Sequence, residues 1–237
     1  MDEPVWQSLL RQAFNLIETA ESTAQAPIKW SFGGGTVLML RLNHRHSKDI
    51  DIFLADPQVL GFFNPRISEV AQDVSTAYEE SSGHVKLYLP YGEIDFVVAS
   101  PLLADPFEES TLLERPITLE RSGEIIAKKM WHRGNLATAR DLFDFAAVHS
   151  ADPDAIAEAM PALPRNAAAF LRQVETRTHV MRAEFDAIDR RDCLLTFDEC
   201  QSIAESVLRP LVTPVDDDMD FIEAISVRWD DDESGEP

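Results

Sequence analysis

The sequence predicts an α+β protein: a small mixed β-sheet core with flanking helices, followed by a helical C-terminal domain. Three observations carry this. Short apolar or alternating runs at 28–32, 49–54 and 84–98 are bounded by turn residues. Pro90-Tyr91-Gly92 sits between two alternating runs, as a hairpin requires. From Gly123 onward the apolar residues recur almost without a break at helical spacing.

The elements follow in order. Val5, Leu9, Phe14, Leu16 and Ile17 define an amphipathic helix over 5–25 that ends before Pro27. A short strand at 28–32 runs into Gly33-Gly34-Gly35, and a short helix at 36–42 leaves that turn. The next strand is 49–54. Ile67, Val70, Val74 and Ala77 place a helix over 65–80. The hairpin spans 84–98, and Ile117-Thr118-Leu119 reads as a last strand. Helices are expected at 123–133, 139–149, 153–160, 165–190, 197–210 and 215–228. The boundary falls near 115–122, which divides the chain into a core (1–120), a helical domain (121–229) and an acidic, disordered tail (230–237).

The 237 residues allow one large domain or two modest ones. The net charge of -21 is unusual. Ten acids from Asp216 to Glu236 face only Arg228; without them the charge moves from -21 to -12, so the body is acidic as well. Such a surface argues against broad duplex DNA binding, which needs phosphate neutralisation by Lys and Arg. Cys193 and Cys200 lack a metal-ligand spacing and read as reduced, which suits a cytoplasmic setting. The N-terminus carries acids where a secretory signal needs bases, and no apolar run approaches the ~18–20 residues that span a bilayer, so no membrane association is expected.

The chemistry concentrates in Phe32-Gly33-Gly34-Gly35-Thr36 and Arg45-His46-Ser47-Lys48-Asp49-Ile50-Asp51. Glycines let a backbone approach a phosphate closely. Asp49 and Asp51, two apart on a strand, point to one face and can share a metal ion. A strand end with two solvated acids would look the same, and Thr36 would serve equally as a helix N-cap.

These blocks resemble the nucleotidyltransferase toxins of the AbiEii/AbiGii type, within the polymerase-β-like nucleotidyltransferase superfamily. Gly34-Gly35-Thr36 and Arg45-x-Ser47-x-Asp49-x-Asp51 carry the first part of the resemblance. Lys128-Lys129, Arg133-Gly134 and Ala139-Arg140-Asp141-Leu142-Phe143-Asp144 carry the rest, with Lys129 and Asp141 twelve positions apart. The matched blocks cover about 30–148.

The resemblance implies a nucleotidyltransferase core. Asp49 and Asp51 would hold Mg²⁺ or Mn²⁺ against the NTP phosphates, and Asp95 would complete the site or act as base toward the acceptor hydroxyl. Glu93 shares the face of Asp95. Gly34, Gly35, Thr36, Arg45, Ser47 and Lys129 would bind the nucleotide, although many superfamily members carry Gly-Ser where this chain has Gly-Gly-Thr. Asp141 would join the catalytic set, yet it also follows Thr138 at capping-box spacing. Either Lys128 or Lys129 should be solvated. Asp144 and Arg140 read as structural pairs across helix turns. His44 and His46 read as polar loop residues; His132 and Arg133 would extend a basic patch for an RNA end. The four tryptophans read as core.

The reading is a metal-dependent transfer of NMP from an NTP to an acceptor hydroxyl. The resemblance implies the toxin of a type IV-like toxin–antitoxin pair, with a cognate antitoxin and a tRNA acceptor end as partners. Transfer to a protein or small molecule, and a non-catalytic domain that binds a nucleotide or partner, stand beside it.

Overall fold

The computed structural model describes residues 3–212. The helix expected at 215–228 and the tail at 230–237 lie outside them. Seven strands form one mixed sheet: β1 (Trp30–Gly33), β2 (Ile50–Leu54), β3 (Tyr78–Glu80), β4 (His84–Leu89), β5 (Gly92–Val98), β6 (Phe107–Leu112) and β7 (Arg115–Glu120). Their spatial order is β3-β4-β5-β2-β1-β7-β6. β2 runs parallel to β5 and β1 parallel to β7; the other neighbours are antiparallel.

Strand alternation gives this sheet two unlike faces. Ile50, Ile52, Leu54, Val85, Leu87, Ile94 and Phe96 are buried on one. Helix α1 (Val5–Ala24) packs there with Leu9, Leu10, Ala13, Phe14, Leu16 and Ile17, its tail turning out at Gln25 in a left-handed conformation. A 3-10 turn at Pro57–Phe63 closes the same side, stacking Phe63 on Phe96 at 4.1 Å between ring centres. Each such large side chain contributes about 1.5–3 kcal/mol on burial. The opposite face carries Ser31, Asp51, Lys86, Glu93 and Asp95, one register position apart or alternate along a strand.

Nine α-helices accompany the sheet among the described residues. Helix α2 (Gly34–Leu42) leaves β1, and α3 (Glu69–Val74) precedes β3. After the sheet come α4 (Ser122–Arg133), α5 (Ala139–Ala151), α6 (Pro153–Ala159), α7 (Pro164–Thr176), α8 (Thr178–Asp186) and α9 (Phe197–Leu208). Helix α5 is buried along most of its length, touching α2, α4, α6, α8 and α9.

Four expectations need correction. The helix expected at 65–80 is reduced to α3. At Ser75 the backbone is extended (φ -158, ψ 137), and its hydroxyl donates to the carbonyls of Ala77 and Tyr88. Tyr78–Glu80 can then pair with the free edge of β4, and these ladder bonds override the helical periodicity. Second, β7 belongs to a hairpin with β6, which the sequence reading lacked. Its turn residues Leu113 and Glu114 take positive φ (52 and 64) without the glycine or asparagine that marks such turns. Third, the helix expected at 165–190 breaks at Arg177, where the Thr178 hydroxyl bonds the carbonyls of Val174 and Glu175. Fourth, α2 is capped by Gly33 and not by Thr36.

Candidate active site

A cavity of about 530 Å³ opens where the polar face of β2, β4 and β5 meets α2, α4, α5 and the end of α8. Its lining includes Gly35, Arg45, Ser47, Asp49, Asp51, Asp95, Lys129 and Asp141, all singled out from the sequence, together with Lys86, Glu93, Arg133 and Arg140. Gly34 and Thr36 do not line it.

The carboxylates come together through strand register. Asp51 on β2 is the cross-strand partner of Asp95 on β5, so both project from the same face. Asp49 lies just before β2, its Oδ1 accepting from the Glu93 backbone N–H at 3.1 Å. Burial, then repulsion from Asp95, pushes the Asp51 carboxyl up to about 6. Burial also raises Asp95, while Lys86 opposes it with an Nζ–Oδ2 distance of 3.0 Å. The other oxygen of Asp95 is buried without a hydrogen-bond partner.

The glycine run makes room for side chains around the start of α2. A Cβ on Gly34 would collide with the Asp51 carboxylate, and Gly34 sits at φ 70. A Cβ on Gly35 would meet the Arg45 guanidinium, and one on Gly33 the Glu120 carboxylate. Three consecutive glycines therefore let three charged groups crowd one helix end. Thr36 is fully buried, its hydroxyl donating to the Asp49 carbonyl at 2.6 Å and to Ser47 Oγ at 3.1 Å. It holds the chain entering β2 and has no open path to a phosphate.

Facing the carboxylates is a second charged cluster. Lys129 Nζ lies 2.8 Å from Asp141 and 3.0 Å from Asp144. Asp144 is fully buried and accepts from Arg45 Nε at 2.6 Å and Arg45 Nη2 at 2.8 Å, with His44 Nε2 at 2.8 Å. Burial opposes its ionisation, yet Lys129 and Arg45 overcome that and hold its carboxyl well below the usual carboxylate range. Burial also works against Asp141, and Lys129 with Arg133 pulls it down. Asp141 completes a capping box with Thr138 as well, as the spacing predicted, so one side chain both caps α5 and faces the cavity.

Three readings of individual residues change here. Asp144 does not pair along its own helix; it ties α5 to the loop before β2, because the packing of α2 on α5 places Arg45 over it. His44 lies in a loop as read, but it is buried (1% exposed) against Asp144, whereas His46 is exposed. Lys128 and Lys129 are neither of them simply solvated. Lys128 is buried, 2.5 Å from Glu120 and over the Phe53 ring at 4.1 Å. Lys86 was missed, although the two-residue turn Pro90-Tyr91 fixes the register that sets it opposite Asp95.

The donor set fits a hard divalent cation. Asp51 is a carboxylate with an unfavourable charge, and Asp95 offers a buried oxygen with no partner. Among the described residues no three carboxylate, imidazole or thiol groups converge tightly enough to enclose an ion by themselves. Asp49 is turned to the Glu93 amide and Asp95 to Lys86. No described helix is long and apolar enough to cross a membrane.

The family model described as nucleotidyl transferase AbiEii toxin, type IV toxin–antitoxin system, matches residues 16–218. No curated protein matches the sequence. Among solved structures the chain is similar to JHP933 from Helicobacter pylori, at 12% identity and a TM-score of 0.42, over 85% of this chain and 90% of that one. It is similar to the antibiotic-resistance factor ANT(2'')-Ia, at 15% identity and a TM-score of 0.45, over 73% of this chain and 98% of that one. It is also similar to the lincosamide antibiotic adenylyltransferase LnuA in its lincomycin-bound form, at 17% identity and a TM-score of 0.41, over 59% and 96%.

Proposed function

The chain belongs to the AbiEii family of nucleotidyl transferase toxins, and from that premise we propose that it moves an NMP from an NTP to an acceptor hydroxyl with a divalent cation. The observation that carries this reading is the placement of Asp51 and Asp95 as partners on adjacent parallel strands, facing Lys129 and Arg45 across one cavity. Carboxylates on one wall and cations on the other suit an ion–triphosphate substrate.

Asp49, Asp51 and the free oxygen of Asp95 would hold Mg²⁺ or Mn²⁺. When bound, such an ion supplies charge neutralisation at the α-phosphate and the leaving pyrophosphate. Lys129 and Arg45 would face the triphosphate, with Arg133 and Arg140 nearer the solvent. Burial lowers the Lys129 ammonium, but Asp141 and Asp144 outweigh it and raise it, which keeps it charged. Gly35 would present backbone to a phosphate, and Ser47 its hydroxyl. In this reading residues 1–120 form the core, and the helices after 121 complete the site through Lys129 and Asp141.

A tRNA acceptor end, a cognate antitoxin and a cytoplasmic setting follow from the toxin family and complete the proposal. The net charge of -21 favours a second reading of the acceptor, a protein or small molecule, because a long RNA footprint meets an acidic surface. Incubation with α-labelled NTPs, Mg²⁺ and total RNA, protein or metabolite fractions separates these. Label in tRNA supports the first acceptor, and label in another fraction the second. Bound nucleotide with no label in any fraction would point to a non-catalytic domain.

A further inference from the structure

We propose that Lys86 is a built-in cation of the carboxylate cluster, standing in for a second metal, so that the loaded site takes a single divalent ion. The proposal rests on the nucleotidyl-transfer reading above and assigns its metal stoichiometry.

Register places the residue. Lys86 on β4 is the cross-strand partner of Asp95, and Asp95 is the partner of Asp51, so the three side chains form a row on one face. Lys86 Nζ lies 3.0 Å from Asp95 Oδ2 and 2.9 Å from Glu93 Oε2, and all three residues line the cavity. The ammonium is thus gripped from two sides by one strand, and its side chain is only 26% exposed.

In two-metal sites the ions lie about 3.5–4 Å apart, so a second ion beside the first needs a further free carboxylate oxygen. On Asp95 that oxygen is taken. Asp95 Oδ2 is bonded to an ammonium, and only the buried, unpartnered Oδ1 remains for an ion beside Asp51. A second divalent ion on Asp95 would stand against the fixed positive charge of Lys86. Asp49, Asp51, Glu93 and Asp95 carry four negative charges on this wall. Lys86 and one divalent ion together offset three of them, whereas Lys86 with two ions would leave the wall positive before any phosphate arrives. Lys86 acts through Asp95 and is a positioning residue.

The test counts ions. Mn²⁺ is titrated into the full chain with the α,β-methylene analogues of the four ribonucleoside triphosphates, and bound metal is read by electron paramagnetic resonance. The wild type and Lys86→Arg should bind one Mn²⁺ per nucleotide complex, and Lys86→Met should bind two. Two ions in the wild type overturn the proposal without need of any variant, as does one ion in a folded Lys86→Met. A parallel α-label transfer assay separates the two levels. Two ions with transfer remove the role of Lys86 and leave the transferase; no Mn²⁺ bound and no transfer removes both.

Discussion

Asp51 and Asp95 are cross-strand partners on the parallel strands β2 and β5, and the charge of one makes the other harder to ionise. The fold keeps two carboxylates together beneath a cavity where neither gains in the metal-free protein. That arrangement is understandable as a cost offset by a bound cation.

Asp51→Asn should therefore stabilise the metal-free protein, by on the order of 1–3 kcal/mol at neutral pH. It should at the same time remove the stabilisation by Mg²⁺. Thermal melts with and without Mg²⁺ check both. A variant that is no more stable, or that keeps its Mg²⁺ response, contradicts the placement of the ion.

The pH dependence has a definite sign. The Asp51 carboxyl has its pKa raised from 3.8 unfolded to about 6 folded, so the folded state binds the extra proton between those values. Its contribution to metal-free stability is present below pH ~4 and is lost as pH rises through about 6. Stabilisation by Mg²⁺ should run the other way, growing as pH rises past 6, because the ligand must be deprotonated. Melts from pH 5 to 8 at fixed Mg²⁺ would show the two trends crossing.

Asp144 should behave oppositely to Asp51. Its carboxyl is held well below the ordinary value by Lys129 and Arg45 against the effect of burial, so its stabilising contribution is present above the unfolded pKa and is lost in acid. Asp144→Ala leaves Arg45 and Lys129 buried without this partner and should cost about 3–5 kcal/mol in a denaturant titration. A loss below about 1 kcal/mol would mean the helical layer is not tied to the β2 loop through this residue.

Thr138→Ala and Asp141→Ala separate capping from chemistry. Thr138→Ala should cost ~1 kcal/mol of stability and leave nucleotide affinity unchanged. Asp141→Ala loses the cap and leaves Lys129 held by Asp144 alone, so turnover should fall by at least about tenfold with the stability loss. Equal turnover in the two variants would assign Asp141 to the cap alone.

Gly34→Ala meets two obstacles at once, a left-handed φ of 70 and the Asp51 carboxylate. Stability should fall by about 1–3 kcal/mol. Mg²⁺ binding should weaken in parallel, since the Asp51 side chain must move. Unchanged Mg²⁺ binding would separate the glycine run from the ion.

The sheet, its hairpin and the helical second half were legible because alternation and helical periodicity are local properties. So were the Asp49–Asp51 pair and the capping box at Thr138, both set by short spacings. What stayed hidden depends on register or on long-range packing. Asp51 meets Asp95 only through the β2–β5 pairing, forty-four positions apart in sequence. Asp144 reads as an acid paired along its own helix until Arg45 is placed on it. Thr36 looks like a cap or a phosphate ligand, and only its bond to the Asp49 carbonyl reveals that it braces the strand entry. The Leu113–Glu114 turn lacks the residues that announce such turns, so β6 went unseen.

Transfer of a nucleotidyl group cleaves the NTP between its α- and β-phosphates. Parallel incubations with α-labelled and γ-labelled NTP, Mg²⁺ and the full acceptor mixture test it most directly. α-Label should enter an acceptor, γ-label should leave as pyrophosphate, and Asp51→Asn should abolish both. Entry of γ-label into an acceptor, or α-label transfer undiminished in Asp51→Asn, would contradict it.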